Sequence, residues 1–170
     1  MNYADIKPLD ITNGEGIRVS LFVSGCTHGC HNCFNKDLWS FSYGKKFTNE
    51  TMNDILTKVG RPQIEGFSLL GGEPLHLNNV FKCTEIVENI RERYPQKDIW
   101  VWSGYLWEDI VDNKYQREIL KYIDVLVDGK FEQDKADLTY AFAGSTNQRL
   151  IDVKRSLKEN KVILYELGRK

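Results

Sequence analysis

The chain has 170 residues, 41% of them hydrophobic, enough for one domain with a real core. Its 23 Lys and Arg nearly balance 24 Asp and Glu, a formal net charge of −1 that gives no global field toward nucleic acid or an acidic membrane. The 8 Phe, 8 Tyr and 4 Trp exclude a disordered chain.

The N-terminal MNYADIKPLD has no basic stretch leading into an apolar one, so no secretory signal is expected. No apolar run reaches the roughly 20 residues that span a bilayer. The expected location is the cytoplasm, where thiols stay reduced. Four cysteines there point to metal or redox chemistry before disulfides.

The first strand expected is IRVSLFV (17–23), followed directly by a cysteine loop. Before it, Asn13-Gly14-Glu15-Gly16 reads as a turn; a dinucleotide fingerprint would precede a helix. TNETMNDILTKV (48–59) reads as a helix capped by Thr48 or Asn49. FSLLG (67–71) is a short buried strand running into GGEP. Val80, Cys83, Val87, Ile90 and Tyr94 form a helical stripe that Pro95 stops. IWVWSG (99–104) is a strand, LWEDIVDN (106–113) and YQREILKYI (115–123) are helical, and IDVLVDG (123–129) is a strand. RLIDV (149–153) and KVILYE (161–166) are late strands around a short helix, VKRSLKEN (153–160). Trp39, Trp100, Trp102 and Trp107 suit a core, with Trp107 also suited to an interface. RER (91–93) reads as a solvated helix face.

Strand and helix alternate, which indicates an α/β fold with a mostly parallel sheet. A full eight-fold barrel needs about 250 residues. An open partial barrel of five or six strands, as one domain over residues 1–170, fits the length better. The cysteine loop, GGEP, WSGY and DGK each follow a strand. In parallel α/β folds such loops gather at one edge, so the four motifs should meet in space.

SGCTHGCHNCFNKDLW (24–39) places Cys26, Cys30 and Cys33 within eight residues, with Cys83 far along the chain. Structural zinc is one reading, but closed zinc sites want four ligands, and His28 or His31 would complete a tetrahedron only with strain. A four-cysteine cluster is another; its spacing differs from the bacterial ferredoxin run and it needs Cys83, which sits on an apolar stripe. The third is a [4Fe–4S] cluster with three protein ligands and one open iron. His28 and His31 are expected to be exposed on this loop.

The Cys-x3-Cys-x2-Cys loop resembles that of the radical S-adenosylmethionine (SAM) enzymes, and LLGGEPL (69–75) resembles that superfamily's Gly-Gly-Glu-Pro strand end. ITNGEGIRVSLFVSGCTHGCHNCFNKDLW (11–39) is similar to the N-terminal region of glycyl-radical-enzyme activases. VWSGY (101–105), VDGKF (127–131) and GSTNQRLIDV (144–153) resemble the activase subfamily serving anaerobic (class III) ribonucleoside-triphosphate reductase. Pyruvate formate-lyase activases and small-molecule radical SAM enzymes are the neighbouring alternatives.

The resemblance implies a radical SAM oxidoreductase of the partial-barrel type. Cys26, Cys30 and Cys33 would ligate the cluster and serve catalysis. SAM would chelate the open iron, and reductive cleavage would yield a 5′-deoxyadenosyl radical that removes hydrogen from a glycine of the reductase. Asn32 and Phe34 would lie against SAM. Asn32 stands where much of the superfamily has an aromatic residue. Gly71, Gly72 and Glu73 would bind the methionyl end, Glu73 through an ammonium group, and Ser103 and Asp128 its polar groups. Asn147, Gln148 and Arg149 would complete the ribose side or meet the partner, and Asn13–Gly16 would lie near the incoming glycine. The implied partners are the reductase and a flavodoxin- or ferredoxin-like electron donor.

Overall fold

The computed structural model describes residues 1–168; the last two residues of the expected domain lie outside the described residues. Strands β1 (Asn2–Asp10) and β2 (Arg18–Val23) come first. Then follow β3 (Lys45–Lys46), α1 (Asn49–Val59), β4 (Gly66–Gly71), α2 (Val80–Arg93) and β5 (Asp98–Trp102). The chain continues with α3 (Trp107–Asp112), β6 (Val125–Asp128), β7 (Arg149–Asp152) and α4 (Val153–Glu159). The strands form one sheet in the order β3-β1-β2-β4-β5-β6-β7. β2, β4, β5 and β6 are mutually parallel, and only β1 and β7 run against them. The fold is therefore α/β with a mostly parallel sheet, as the sequence leads one to expect.

The parallel strands are apolar because both their faces are covered. In β5 the alternation divides the core: Ile99 and Val101 join the main cluster with Ile55, Ile86 and Ile90, while Trp100 faces the opposite side with Val125, Val127 and Leu150. Trp107 is also core, at 6% exposure. Helix α1 starts where Thr48 accepts from the Thr51 amide and Thr51 accepts from the Thr48 amide, each at 3.3 Å. Its buried stripe is Met52, Ile55, Leu56 and Val59. Helix α2 stops one residue before Tyr94-Pro95, because proline disfavours helical backbone in the residue preceding it.

Four expectations need correction. Residues 2–10 form a strand, antiparallel to β2, that the sequence pattern does not announce. Pro8 falls in an irregularity between Lys7 and Asp10 where the pairing register shifts, which is how a strand tolerates proline. The second expected helix after α3 is only a 3₁₀ turn, Arg117–Lys121. The 161–166 stretch reaches the sheet through a single bridge, Leu164 to Ile151. Arg91 is not merely solvated: it donates to the carbonyls of Tyr122, Pro95 and Lys97 and pairs with Asp124.

The Asn13–Gly16 loop precedes β2, so it lies a strand's length from the cysteine loop, roughly 17 Å at 3.3 Å per residue. Its placement near an incoming glycine is therefore not what the fold gives. Instead it anchors the far end of the sheet. Arg18 is fully buried there. It pairs with Asp98 at 2.5 Å, donates to Ser68 Oγ at 2.7 Å and lies over the Trp100 ring at 5.3 Å.

Asp10 closes β1 by accepting from Thr12 N at 2.9 Å, Thr12 Oγ1 at 2.7 Å and Asn13 Nδ2 at 2.7 Å. Burial alone would raise its pKa, but these bonds and one from Ser20 outweigh it and hold the carboxyl at about 2, below the ordinary 3.8. A carboxyl depressed on folding stabilises the fold above its unfolded pKa, and that contribution disappears as pH falls through the folded value. Asp10→Asn should cost about 1–2 kcal/mol at neutral pH. In urea titrations the gap between wild type and variant should hold above about pH 4 and shrink toward pH 2.

Candidate iron–sulfur site

The parallel strands β2, β4, β5 and β6 all end at one edge, and their following turns meet. One cavity of about 170 Å³ is lined by Cys26, Cys30 and Cys33, by Gly71, Gly72 and Glu73, by Ser103 and Gly104, and by Gly129. The four strand-end motifs thus converge as expected. A larger cleft of about 560 Å³ at the opposite edge, near Lys97, Asp98 and Asp124, contains none of the cysteines.

The turns are stitched through their main chains. Gly72 N donates to Val23 O and Glu73 N to Gly25 O, both at 2.8 Å. Asn79, 1% exposed, donates its amide to Ser24 O and to Glu73 O, both at 3.0 Å. Nothing in the sequence beyond its place at the head of α2 marks Asn79 for this. Gly71 has φ +111°, and a Cβ there would stand 2.7 Å from Val23 N and O. A Cβ on Gly72 would stand 2.6 Å from Gly25 O. The glycines of GGEP therefore let β2 and β4 turns approach, besides leaving bare main chain at the cavity.

Glu73 is 1% exposed and every lone-pair direction is used. Oε1 accepts from Leu75 N at 2.8 Å and Ser103 Oγ at 2.9 Å. Oε2 accepts from Gly104 N at 2.7 Å and His28 Nε2 at 2.6 Å. In this structure the carboxylate joins three turns. His28, expected to be exposed, is tucked against it with 9% of its side chain accessible, whereas His31 is exposed.

Two other expected contacts fall off the cavity wall. Asn32 is exposed with φ +54°, a left-handed conformation that asparagine tolerates and that turns the chain between Cys30 and Cys33. Asp128 is fully buried behind the wall, where it accepts from Trp107 N at 2.7 Å and from Arg149 at 3.0 and 2.5 Å. Arg149 continues to Glu108. Gln148 and Phe34 do line the cavity, and Phe34 pairs with Phe131 at 5.2 Å across its mouth. Asn147 lines an adjoining cleft of about 440 Å³ that shares His28, Gly104, Gly129 and Lys130 with the cavity.

The donor set suits an iron–sulfur group. Soft thiols line the wall, and the His28 amide donates to Cys26 Sγ at 3.5 Å. Burial pushes the Cys26 thiol up to about 11 and raises Cys30, so metal binding has to displace these protons. Cys83 is elsewhere: fully buried in the main core, its Sγ 3.6 Å from Met1 Sδ, its thiol pushed far up by burial. Among the described residues, no three His, Cys, Asp or Glu side chains are grouped to hold a single metal ion.

The 4Fe-4S single cluster domain family matches residues 12–151. The anaerobic ribonucleoside-triphosphate reductase-activating protein of Pasteurella multocida is 47% identical over 150 residues, covering 87% of this chain and 95% of its own. The proteins of that name from Escherichia coli K12 and Enterobacteria phage T4 are 44% and 42% identical, covering 87% and 88% of this chain and 96% and 93% of their own. The chain belongs to the anaerobic ribonucleoside-triphosphate reductase-activating protein family. In this chain, the cysteine loop and the GGEP turn are neighbours because β2 and β4 pair in register from Arg18–Gly66 to Val23–Gly71.

Gly71→Ala should lower stability by about 2–3 kcal/mol, since it combines a left-handed backbone with main-chain clashes. Chemical unfolding of the iron-free protein measures it; a loss under about 0.5 kcal/mol would contradict the packing described.

Proposed function

We propose that this protein activates an anaerobic ribonucleoside-triphosphate reductase, as a radical SAM enzyme that places a radical on a glycine of its partner. The observation that carries this is three thiols beside the GGEP turn in one cavity, with the fourth cysteine locked in the core. The open sheet is read as a partial barrel of the radical SAM type, the whole chain acting as one domain. Its edge strands β3 and β7 are not paired to each other.

Cys26, Cys30 and Cys33 are the residues that hold the cluster. When bound there, a [4Fe–4S] cluster would supply the one-electron chemistry by which SAM could furnish a radical for hydrogen abstraction from a glycine of the reductase. The chain binds, orients and excludes water. Gly71 and Gly72 line the cavity as bare main chain for the methionyl end, and Glu73 keeps the turn in place through its carboxylate and its main-chain bonds. Ser103 holds Glu73 from the neighbouring turn. Phe34, with Phe131, forms an apolar wall. Asn32 and Asp128 act from behind, by shaping the cysteine loop and by fixing Arg149. The adjoining cleft suits entry of the partner's glycine-bearing segment, because it shares His28, Gly104, Gly129 and Lys130 with the cavity.

The electron donor is read as flavodoxin-like or ferredoxin-like, and the setting as the cytoplasm. No described helix is long and apolar enough to cross a membrane.

Anaerobic reconstitution with iron and sulfide, followed by reduction, should give a [4Fe–4S]⁺ electron paramagnetic resonance signal that changes when SAM is added. Mixing with the reductase should then yield a glycyl radical. Cys30→Ser should lose cluster and activity, whereas Cys83→Ser should keep both and cost about 1–2 kcal/mol of stability for its buried hydroxyl. A Cys83→Ser protein without cluster would refute the ligand assignment.

A further inference from the structure

We propose that His28 is a positioning residue for the iron–sulfur site: it clasps the cysteine loop to the strand-end turns through Glu73, and so sets how firmly the cluster is held. This rests on the reading that the three thiols hold a cluster.

The cysteine loop needs such a clasp. Thr27, Gly29, His31 and Asn32 are exposed. The hydrogen bond from Cys33 N to Cys30 O is internal to the loop. The main-chain ties of Gly25 and Cys26, to Leu38 O and Trp39 O, hold only the loop's entrance. His28 stands midway between Cys26 and Cys30 and reaches out of the loop to Glu73 Oε2 at 2.6 Å. The acceptor is a carboxylate, so Nε2 carries the proton and donates. Such charge-assisted bonds are short and stronger than neutral ones.

The slot is built for this ring. A Cβ on Gly104 would lie 2.5 Å from His28 Cδ2 and 2.6 Å from Nε2, so only glycine admits the imidazole. Tyr105 meets the ring edge-on at 4.7 Å. The acceptor is equally fixed. Its other donors, Leu75 N, Ser103 Oγ and Gly104 N, belong to the turns after β4 and β5. The bond therefore transmits the rigidity of two strand ends to the middle of the loop, where the half-buried Cys30 is also met by the Phe131 main chain. Its loss would also leave a buried carboxylate one donor short.

A hydrogen-bond clasp and a simple filler of space predict different variants. Gln can present an amide donor near the position of Nε2. Phe keeps the ring and its contact with Tyr105 but cannot donate. Asn donates but is too short to reach. The full-length wild type and the three variants are reconstituted anaerobically. Iron release to a chelator is timed, and the reduced cluster's paramagnetic spectrum and midpoint potential are recorded. Circular dichroism of the iron-free proteins checks the fold. His28→Phe and His28→Asn should release iron about 10-fold faster than wild type, as loss of a group that orients a metal ligand does, with a broadened spectrum. His28→Gln should stay within about 3-fold and restore the spectrum. If Phe fails to fold, the Asn–Gln comparison carries the test. Wild-type release rates in Phe and Asn would overturn the clasp, and so would Gln releasing iron as fast as Phe. A wild-type protein that takes up no iron would overturn the cluster reading itself, a separate result.

Discussion

A carboxylate withdrawn from water must have its lone pairs met, and Glu73 meets all of them from three different turns. That requirement organises the site. The donors come from the turns that follow β2, β4 and β5, so a single buried side chain fixes the relative positions of loops separated by up to 76 residues, from His28 to Gly104. The cysteine loop is largely exposed, whereas the turns after β4 and β5 are buried or half-buried. Leu75 and Tyr105 tie the latter two turns to the main core. Together they share one acceptor, and the main-chain bonds from Gly72, Glu73 and Asn79 close the remaining gaps.

This explains why the strand ends are glycine-rich in two senses. Bare main chain at the cavity suits a ligand, which is how the sequence reads. The distances add a stronger constraint. Gly71, Gly72, Gly25 and Gly104 all lie where a Cβ would strike a neighbour within 2.7 Å, and at Gly25 and Gly104 that neighbour is the ring of Phe41 or His28. The turns are packed against each other as tightly as core side chains, with glycine taking the place of complementary shape.

What was legible in the sequence follows from what leaves a periodic trace. β2, β4 and β6 are buried on both faces, so their apolar runs stand out, and α1 and α2 carry clear stripes with a cap and a proline stop. β1 was hidden because it lies next to the sheet's edge with a mostly uncovered face and a proline at its irregularity. At the site, the cysteines and GGEP were legible as spacings. The partners of Glu73 were not, because hydrogen bonds between turns depend on strand register, and no periodicity records it. Asn32 and Asp128 illustrate the same limit: one serves the cysteine loop's left-handed bend, and the other, at the end of β6, an ion pair behind the wall.

The two edges of the sheet carry different burdens. At the edge where the parallel strands begin, charge is paired with charge: Arg18 with Asp98, Arg91 and Lys154 with Asp124, while Glu15 accepts from the Tyr165 hydroxyl at 2.8 Å. Several charged groups that wall the large cleft there, Asp98, Asp124 and Lys154 among them, are already in ion pairs. At the other edge the smaller cavity keeps three thiols facing inward, with a satisfied carboxylate behind them. The three thiols stand where the strands end, and the ionic lock at their start helps keep that edge aligned, because each strand is rigid between the two. A change at Arg18 would therefore reach the cysteines through β2 itself, whose last residue is three positions before Cys26.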